Sequence, residues 1–452
     1  MASILKVDKL DPQSGTALEI GTSGDTVTVP TGAGLTVVDE VKTNKISPAT
    51  GTAFALGDSG DTFTVPSGAT IVNSGTATGF GITSASFLPY SNPVIINGNM
   101  KVAQRATSVT GITTGGYRTC DRFEMRMSNF GTWTITQEAL SADEAFEDGF
   151  STAFKLDNTT ADASLGASDY GRIHYAIEAQ DCQLFKLGNA GSDTITVAFW
   201  VKATKTGTNV VAILQSDSDR LCCQSYTIDA TDTWEHKVLN FPADTAGAGI
   251  NNDNGEGLEI DWWTGSGTTY TSGTLQTTCA ARVNANRAVG QVNHADSTSN
   301  NFHLTGVQVE AGTYTSATLP PFRHESYGDN LARCQRYFVS SYKLGYYPGD
   351  DVSSVHTGLN ANIHVMGSSE GGSGTMFFPS GGMRKLPTMK FYARDGTADQ
   401  WYWGDMGVDE DKEATSNFTG SPSQYGMAVY TATLNNLNAN ICDGAYTADA
   451  EL

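Results

Sequence analysis

Four stretches of this chain alternate apolar and polar residues with a period of two, and they constrain the fold more than any other feature. The stretches are residues 132–136, 194–202, 234–241 and 302–310, and clusters of Gly, Asp and Asn separate them. Such alternation is typical of β-strands that bury one face. Because no helical pattern intervenes, we expect two antiparallel sheets packed face to face in an all-β protein.

The composition agrees with an all-β protein that is rich in turns. Gly contributes 49 of the 452 residues, and only 17% of the residues are charged. A chain of this length exceeds one ordinary core and predicts about three domains. The 48 acidic residues outnumber the 27 basic ones, giving a formal net charge of −21. Since phosphate contacts need clustered Lys and Arg, we expect no nucleic-acid partner.

The sequence shows no secretory signal in residues 1–10 and no apolar run near the ~20 residues of a spanning helix. We therefore expect a protein that is made in a cytoplasm and is not inserted in a membrane. Its seven cysteines are scattered along the chain, which favours reduced, mostly buried thiols. A strained vicinal disulfide between Cys222 and Cys223 is a minor alternative.

A repeat occupies the first eighty residues. Residues 9–33 recur at residues 45–69, a shift of 36 residues. Each copy contains strand-like alternation that ends at a Pro. One such unit cannot bury its apolar face alone, so it needs neighbours. With only two copies in the chain, we expect those neighbours to be equivalent units of other chains wound about a shared axis.

Residues 320–338 carry the pattern of a short helix between two unlike halves of the chain. Ser326 and Asp329 fit a capping box. At helical spacing, one apolar stripe and two off-stripe arginines follow, and we expect the stripe to meet other copies at a trimer axis and the arginines to pair with acids of an adjacent chain. These predicted junction residues are Leu331, Cys334 and Phe338 on the stripe, with Arg333 and Arg336 beside it.

Residues 322–328 (FRHESYG) and 331–337 (LARCQRY) resemble the junction found in many bacteriophage tail-fibre proteins. Residues 94–325 are similar to the jelly roll that precedes this junction, and residues 375–398 and 446–452 are similar to the fibre tip. The resemblance implies an intertwined homotrimer with five parts: N-terminal β repeats as virion anchor and stem (1–83), a linker (84–93), an antiparallel jelly-roll sandwich like a carbohydrate-binding module (94–325), a connecting helix (326–338) and a β-sandwich tip that binds the receptor (339–452).

The same resemblance implies a location and partners. The protein would lie in the virion tail and contact other tail proteins through residues 1–80. Its receptor would be a host surface polysaccharide or an outer-membrane protein. Within the tip, the candidate ligand-binding residues are Trp401, Tyr402, Trp403 and Asp405, where aromatic rings stand beside acids. The alternative is that Trp401 and Trp403, two residues apart, share one sheet face as core or trimer contact.

A second candidate sugar platform lies in the sandwich at Trp262 and Trp263. An aromatic face can stack on a pyranose, and the neighbouring Asp and Asn residues can bind its hydroxyls. Adjacent residues on a strand point to opposite faces, however, so packing of at least one ring is the alternative. The acidic stretch 251–261 lacks the spacing of an EF-hand, and we expect a solvated loop there and no metal.

The sequence contains no Walker loop, no nucleophile elbow and no HExxH motif. We therefore expect no catalytic residues and no cofactor. The pattern as a whole favours a non-enzymatic fibre adhesin, in which repeated weak contacts supply avidity. A tailspike enzyme that degrades surface polysaccharide is the alternative, although its long β-helix would require many more repeats. A third and less favoured hypothesis is a purely structural collar or head fibre.

Overall fold

The computed structural model describes residues 93–352, 363–364, 373–378, 381–405, 409–414, 418–431 and 441–452. The predictions for the N-terminal repeats and the linker up to residue 92 lie outside the described residues. No helix in this part of the chain is long and apolar enough to cross a membrane.

Residues 94–325 form thirteen strands with short helical turns between them. The strands are β1 (Ser108–Ile112), β2 (Gly116–Tyr117), β3 (Glu124–Ser128), β4 (Thr132–Ala139), β5 (Thr152–Thr160), β6 (Tyr170–Glu178), β7 (Ile195–Ala203), β8 (Gly207–Gln215), β9 (Arg220–Ile228), β10 (Glu235–Phe241), β11 (Glu256–Ser266), β12 (Ala280–Ala281) and β13 (Asn301–Ala311). The helical turns are α1 (Glu144–Glu147), α2 (Thr268–Thr271) and the 3₁₀ turns Ala179–Phe185 and Asn284–Asn286.

These strands build two antiparallel sheets. One sheet has the order β1-β4-β5-β13-β7-β10, and the other has the order β12-β9-β8-β11-β6-β3-β2. Their facing sides share one apolar core, to which β7 contributes Val197, Phe199 and Val201 and β11 contributes Ile260 and Trp262. The period-two pattern therefore predicted the buried face correctly, and the all-β sandwich is confirmed.

A disulfide corrects the expectation of reduced thiols. Cys222 on β9 bonds to Cys279, 57 residues later, across a Cα–Cα distance of 4.5 Å. Cys223, whose side chain points to the opposite face of the strand, remains a buried free thiol. The partner of Cys222 was missed because Cys279 approaches β9 only through the hydrogen bonding of the edge strand β12.

The predicted junction helix is present as α3 (Tyr327–Cys334), with Ser326 as its N-cap. The Ser326 hydroxyl accepts a hydrogen bond from the Asp329 backbone N–H at 3.1 Å. The helix ends four residues earlier than the stripe predicted, and Phe338 instead begins strand β14 (Phe338–Ser340). The physical reason is tertiary, because Phe338 pairs with Asp449 in a small sheet.

The residues beyond α3 form three small antiparallel sheets. Their strands, after β14, are β15 (Ile363–His364), β16 (Ser373–Phe377), β17 (Thr388–Tyr392), β18 (Gln400–Asp405), β19 (Asp409–Ala414), β20 (Phe418–Pro422), β21 (Gly426–Thr431), β22 (Ile441–Asp443) and β23 (Ala445–Asp449). The orders are β14-β23-β17, β15-β22-β18-β19 and β16-β21-β20. The C-terminal region is therefore also antiparallel β structure.

Buried arginines join the sandwich to the C-terminal sheets. Arg122 is 1% exposed, pairs with Glu451 and donates to the Ala176 carbonyl at 2.6 Å. The Tyr337 ring lies 3.5 Å from its guanidinium carbon. We call this boundary the arginine seam and include in it two further arginines, Arg105 and Arg384.

Both of these arginines bridge the same two parts of the chain. Arg384 donates to the backbone carbonyls of Ala450 at 3.0 Å and Glu451 at 2.9 Å, and also to that of Asn254 in the sandwich. Arg105 lies 3.2 Å from Asp449 and 3.3 Å from Glu451. Charged hydrogen bonds therefore fix the position of the last strand against the sandwich.

Candidate functional site

Trp262 and Trp263 both lie in the interior, each with 0% of its surface exposed. As the strand geometry requires, their rings point to opposite faces of β11. Trp262 lies between the two sheets, where it packs edge to face with Phe199 at 5.9 Å. Trp263 lies in a second cluster with Val210 and Ala288. Neither ring offers a face to a ligand, so the predicted sugar platform is corrected to packing at both positions.

The junction residues find their packing and hydrogen-bonding partners within one chain. Cys334 is buried, and Leu331 packs with it against Ile96, Val102 and Tyr337 of the same chain. In the single chain both arginines bind acids of their own chain, and the predicted pairing with an adjacent chain stays a prediction. Arg333 bonds to Glu325 at 2.8 Å, and Arg336 forms two bonds with Glu178 at 2.7 and 2.8 Å. The partner of Arg336 was missed because Glu178 lies 158 residues away in sequence. Glu325, the partner of Arg333, lies only eight residues before it.

The tip candidates Trp401, Tyr402, Trp403 and Asp405 all lie on β18. This strand pairs with β19 and β22, and Trp403 stands opposite Asp411 on one side and Cys442 on the other. Their side chains lie outside what the structure describes. The choice between receptor contact and packing therefore stays a prediction.

A charged cluster on the outer face of the second sheet was not foreseen from the sequence. His174 on β6 stands directly opposite Asp261 on β11, and its Nδ1 lies 2.9 Å from the Asp261 carboxylate. Glu259 and Glu256, from the same strand as Asp261, lie 3.8 and 3.7 Å from the His174 ring nitrogens. We call this group the His174 cluster; period-two spacing of 259 and 261 on β11 was the signal that could have found it.

Opposite pKa shifts separate two carboxyl groups of the His174 cluster. Burial, together with the charges of Asp261 and Glu256, raises the pKa of Glu259 to about 7. Burial also acts on Asp261, but the nearby Arg172 and the bond to His174 outweigh it and hold the pKa of Asp261 well below its usual range. The desolvated His174 ring has a lowered pKa and is neutral near pH 7.

His174, Glu259 and Asp261 have ligand atoms close enough to hold a metal ion. The Asp261 oxygens, however, each lie 3.2 Å from a guanidinium, one from Arg172 and the other from Arg287. Arg126 lies 3.4 Å from Glu259 in the same way. The arginines already supply the positive charge that a cation would bring, so the donor set fits a balanced ion network better than a metal site.

A concave site of different character lies on the outer face of the first sheet. It has a volume of about 440 Å³, within the range of small-ligand pockets. We call it the Trp200 pocket. Its lining residues are Asp148, Phe150, Trp200, His236, Gly306, Gln308, Ser316, Leu319, Pro320, Pro321, Phe322 and His324. It thus joins strands of the sandwich to the segment that leads into α3.

Strand register places the central aromatic ring of the Trp200 pocket. Trp200 lies on β7, opposite His236 of β10 and Thr305 of β13. Because Phe199 and Val201 point into the core, Trp200 points outward and is partly exposed. The His236 ring lies against the indole, with centroids 5.1 Å apart and planes 30° apart. His236 therefore packs against one side of the Trp200 indole.

A β-bulge shapes the floor of this pocket. The pairing of β13 with β7 shifts between Thr305 and Gln308. Gly306 adopts a φ of +60° there, and a Cβ at this position would lie 3.0 Å from Trp200 and 2.8 Å from Phe150. Gly is therefore required for the rings to approach the floor. The bulge also aims Gln308 into the pocket, where its amide nitrogen donates to the Pro320 carbonyl at 3.0 Å.

The remaining walls are aromatic and electrically neutral apart from one acid. Phe322 meets Phe150 edge to face at 4.8 Å, and His324 lies 4.8 Å from Phe322. Burial lowers the pKa of both His236 and His324, so both rings are neutral near pH 7. Asp148 stands on the rim, where it caps α1. The pocket therefore combines apolar ring faces with a few hydrogen-bonding groups.

No protein-family model matches this sequence, and no curated protein matches it either. Among solved structures, the tailspike protein 4 enzymatically active domain of bacteriophage CBA120 is 12% identical, with 48% of this chain and 21% of that chain covered and a TM-score of 0.25. This chain thus matches about a fifth of that structure.

Two further structures are similar to a comparable part of the chain. A protein from Bacteroides thetaiotaomicron proposed to bind sugar is 13% identical, with coverage of 49% and 100% and a TM-score of 0.27. TmCBM61 in complex with β-1,4-galactotriose is 8% identical, with coverage of 49% and 99% and a TM-score of 0.23. These likenesses are too distant to carry an argument about function.

Proposed function

We propose that this protein is a non-enzymatic saccharide-binding adhesin and that its sandwich binds sugar in the Trp200 pocket. The observation that carries the proposal is the partly exposed Trp200 indole, supported by His236 and surrounded by Gln308, Asp148 and Ser316. The apolar face of a pyranose stacks on such a ring, while amide, carboxylate and hydroxyl groups bind its hydroxyls. The neutral histidines favour an uncharged sugar.

The finer proposal is a homotrimeric tail fibre of a bacteriophage. It rests on the resemblance of residues 322–328 and 331–337 to the fibre junction. In this proposal residues 1–80 contact other tail proteins, residues 339–452 contact the host, and the protein lies in the virion tail. Three chains would repeat each weak sugar contact and so raise the avidity.

The saccharide proposal is tested with the full-length protein, fluorescently labelled, on a panel of bacteria and on an array of their isolated polysaccharides. We expect Trp200→Ala to weaken binding at least tenfold and Asp148→Asn to weaken it less. Phe146→Ala removes an exposed aromatic of the sandwich that does not line the pocket and serves as the matched control. Because Trp200 also packs against a satellite core, Trp200→Phe, which keeps an aromatic ring, controls for folding. Undiminished binding by folded Trp200→Ala would contradict the proposal.

Two measurements test the tail-fibre proposal. Light scattering should give three times the monomer mass of 47.8 kDa, and a monomer at micromolar concentration would contradict the trimer. The double variant Trp401→Ala/Trp403→Ala should lose adsorption to cells while the trimer persists. Loss of the trimer would instead assign both residues to packing.

A polysaccharide-degrading enzyme is the second candidate, and the His174 cluster is the observation that favours it. Glycosidases use two carboxyl groups whose environments push their pKa values apart, as happens at Glu259 and Asp261. The test is release of oligosaccharides from purified polysaccharide. The adhesin proposal expects none, and release that disappears in Glu259→Gln would favour the enzyme.

A further inference from the structure

A second pocket lies where the sandwich meets the small sheet β14-β23-β17, apart from the Trp200 pocket. Its volume is about 390 Å³, and it takes residues from the start of the sandwich, from β17 and from β23. Three basic side chains, Arg105, Arg118 and Lys390, line it together with one acid, Asp449. We call it the Lys390 pocket. Basic residues outnumber acidic ones in this lining, although the chain has a net charge of −21.

Two of these three cations lack a carboxylate partner. In the part of the chain that the structure describes, no carboxylate oxygen lies within 4.0 Å of Lys390 or Arg118. One terminal nitrogen of Arg118 donates to the backbone carbonyls of Gly115 at 3.0 Å and Thr114 at 3.3 Å and to the Thr114 hydroxyl at 3.4 Å. Its buried Nε has no hydrogen-bond partner among the described residues. Arg105, in contrast, is neutralised by Asp449 and Glu451 in the arginine seam.

The walls between the charges are aromatic and hydroxylated. Tyr117, Phe338 and Tyr392 line the pocket, and Thr388 and Thr447 supply hydroxyl groups beside Lys390. The Lys390 ammonium lies 5.6 Å from the centre of the Tyr392 ring. A small inorganic anion would use the charges alone, whereas a ring that carries a carboxylate would use the charges, the aromatic faces and the hydroxyls together.

We propose that the Lys390 pocket binds an acidic sugar, a pyranose ring with a carboxylate, which pairs with Lys390 and Arg118. The proposal rests on the saccharide-binding function above but concerns a separate pocket and a charged ligand class. Arg118 offers the N–H groups that are not bonded to Gly115 and Thr114, and Lys390 supplies a point charge. The Trp200 pocket would then bind a neutral part of a surface polysaccharide, and the Lys390 pocket would bind an acidic part.

The test uses the full-length protein on an array of acidic polysaccharides, each printed beside its carboxyl-reduced neutral form. We expect preferential binding of the acidic members, and at least a tenfold loss of that binding in Lys390→Gln and Arg118→Gln. Lys186→Gln, which changes an exposed lysine of the sandwich outside both pockets, is the matched control and should leave binding unchanged. Lys390 is the decisive position because its exposed side chain supports no other contact in the pocket besides the Tyr392 ring.

The outcomes separate this proposal from the first. Equal binding of acidic and reduced members, or an acid preference that survives in Lys390→Gln, would overturn it. Binding of neutral members that needs Trp200 but not Lys390 would leave the first proposal standing and remove this one. Inorganic phosphate that displaces acidic saccharide at millimolar concentration would show a general anion site and would also overturn it. Absence of binding to every member would count against both.

Discussion

The interior of the sandwich and the arginine seam join parts of the same chain by different physical means. Between the two sheets, apolar side chains such as Trp262, Phe199 and Ile260 are removed from water. At the seam, Arg122 and Arg384 bind carboxylate and carbonyl oxygens in fixed directions. Apolar burial scales with area and tolerates changes of shape, whereas charged hydrogen bonds require matching partners. We therefore expect that replacing one charged group destabilises the seam even when the side-chain volume is kept, whereas the core is destabilised when side-chain volume is removed.

The largest effect is expected in the core. Trp262→Ala removes a fully buried indole and leaves a cavity, which should lower the free energy of unfolding by about 3–5 kcal/mol. Denaturant unfolding of the purified protein measures this change. Tyr425→Ala, which truncates a ring that is 64% exposed, should cost less than about 1 kcal/mol. A similar loss of unfolding free energy in both variants would contradict the assignment of Trp262 to the core and Tyr425 to the surface.

A substitution in the arginine seam that removes a charge but keeps the side-chain volume should lower the free energy of unfolding. Glu451→Gln keeps the shape of the side chain and an oxygen acceptor but leaves the buried Arg122 without its counter-charge, which should cost about 2–3 kcal/mol. Hydrogen exchange should rise first at residues 445–452 and leave the sandwich strands protected. If the apolar pair Arg122→Met/Glu451→Leu is less stable than Glu451→Gln alone, the charge explanation is wrong.

The outer face of the sandwich carries charge as well, and its effect depends on pH. Because the pKa of Glu259 is raised from about 4.5 to about 7, the folded state binds more protons than the unfolded state in this interval. The contribution of Glu259 to stability should therefore fall as the pH rises from about 4.5 to 7. Glu259→Gln should be more stable than the native protein at pH 8, by about 1–2 kcal/mol, and no more stable at pH 4. Melting temperatures at both pH values, with the surface variant Glu144→Gln as control, measure this.

The smallest effect is expected at the helix cap. Ser326→Ala removes the acceptor for the Asp329 N–H and should cost about 1 kcal/mol. Ser326→Thr, which keeps a hydroxyl that accepts from the Asp329 N–H and donates to the Asp329 carboxylate, should restore most of the loss. Thermal unfolding of the three proteins gives the comparison, and equal melting temperatures for all of them would show that packing alone holds α3 in place.

Sequence patterns predicted the parts of this fold that depend on residues close together in the sequence. The alternation in residues 194–202 gave both the strand and the inward set of side chains, and Ser326 gave the start of α3. The end of α3 was placed too late because Phe338 pairs with Asp449, a contact that no local pattern records. The same limit explains the missed disulfide between Cys222 and Cys279.

The candidate sites depended even more on distant contacts. Trp262 and Trp263 were chosen for their aromatic rings, but residues 267–292 and the opposite sheet cover them. Trp200 looked like an ordinary strand residue, and its pocket forms only when β7, the bulge in β13 and residues 316–324 meet. The Lys390 pocket likewise brings together Arg105 and Asp449, which are 344 residues apart in the chain.

The contacts of α3 with the start of the sandwich have a mechanical consequence. Arg333 donates to the Pro93 carbonyl at 2.6 Å, and the Asn330 side chain accepts from the Asn97 backbone at 3.1 Å. A pulling force applied at residue 93 is therefore divided between the sheet and the helix. Since Arg333 is also bonded to Glu325, the load would pass to the segment that walls the Trp200 pocket. Tension on one end of the sandwich and occupancy of that pocket would then be mechanically linked.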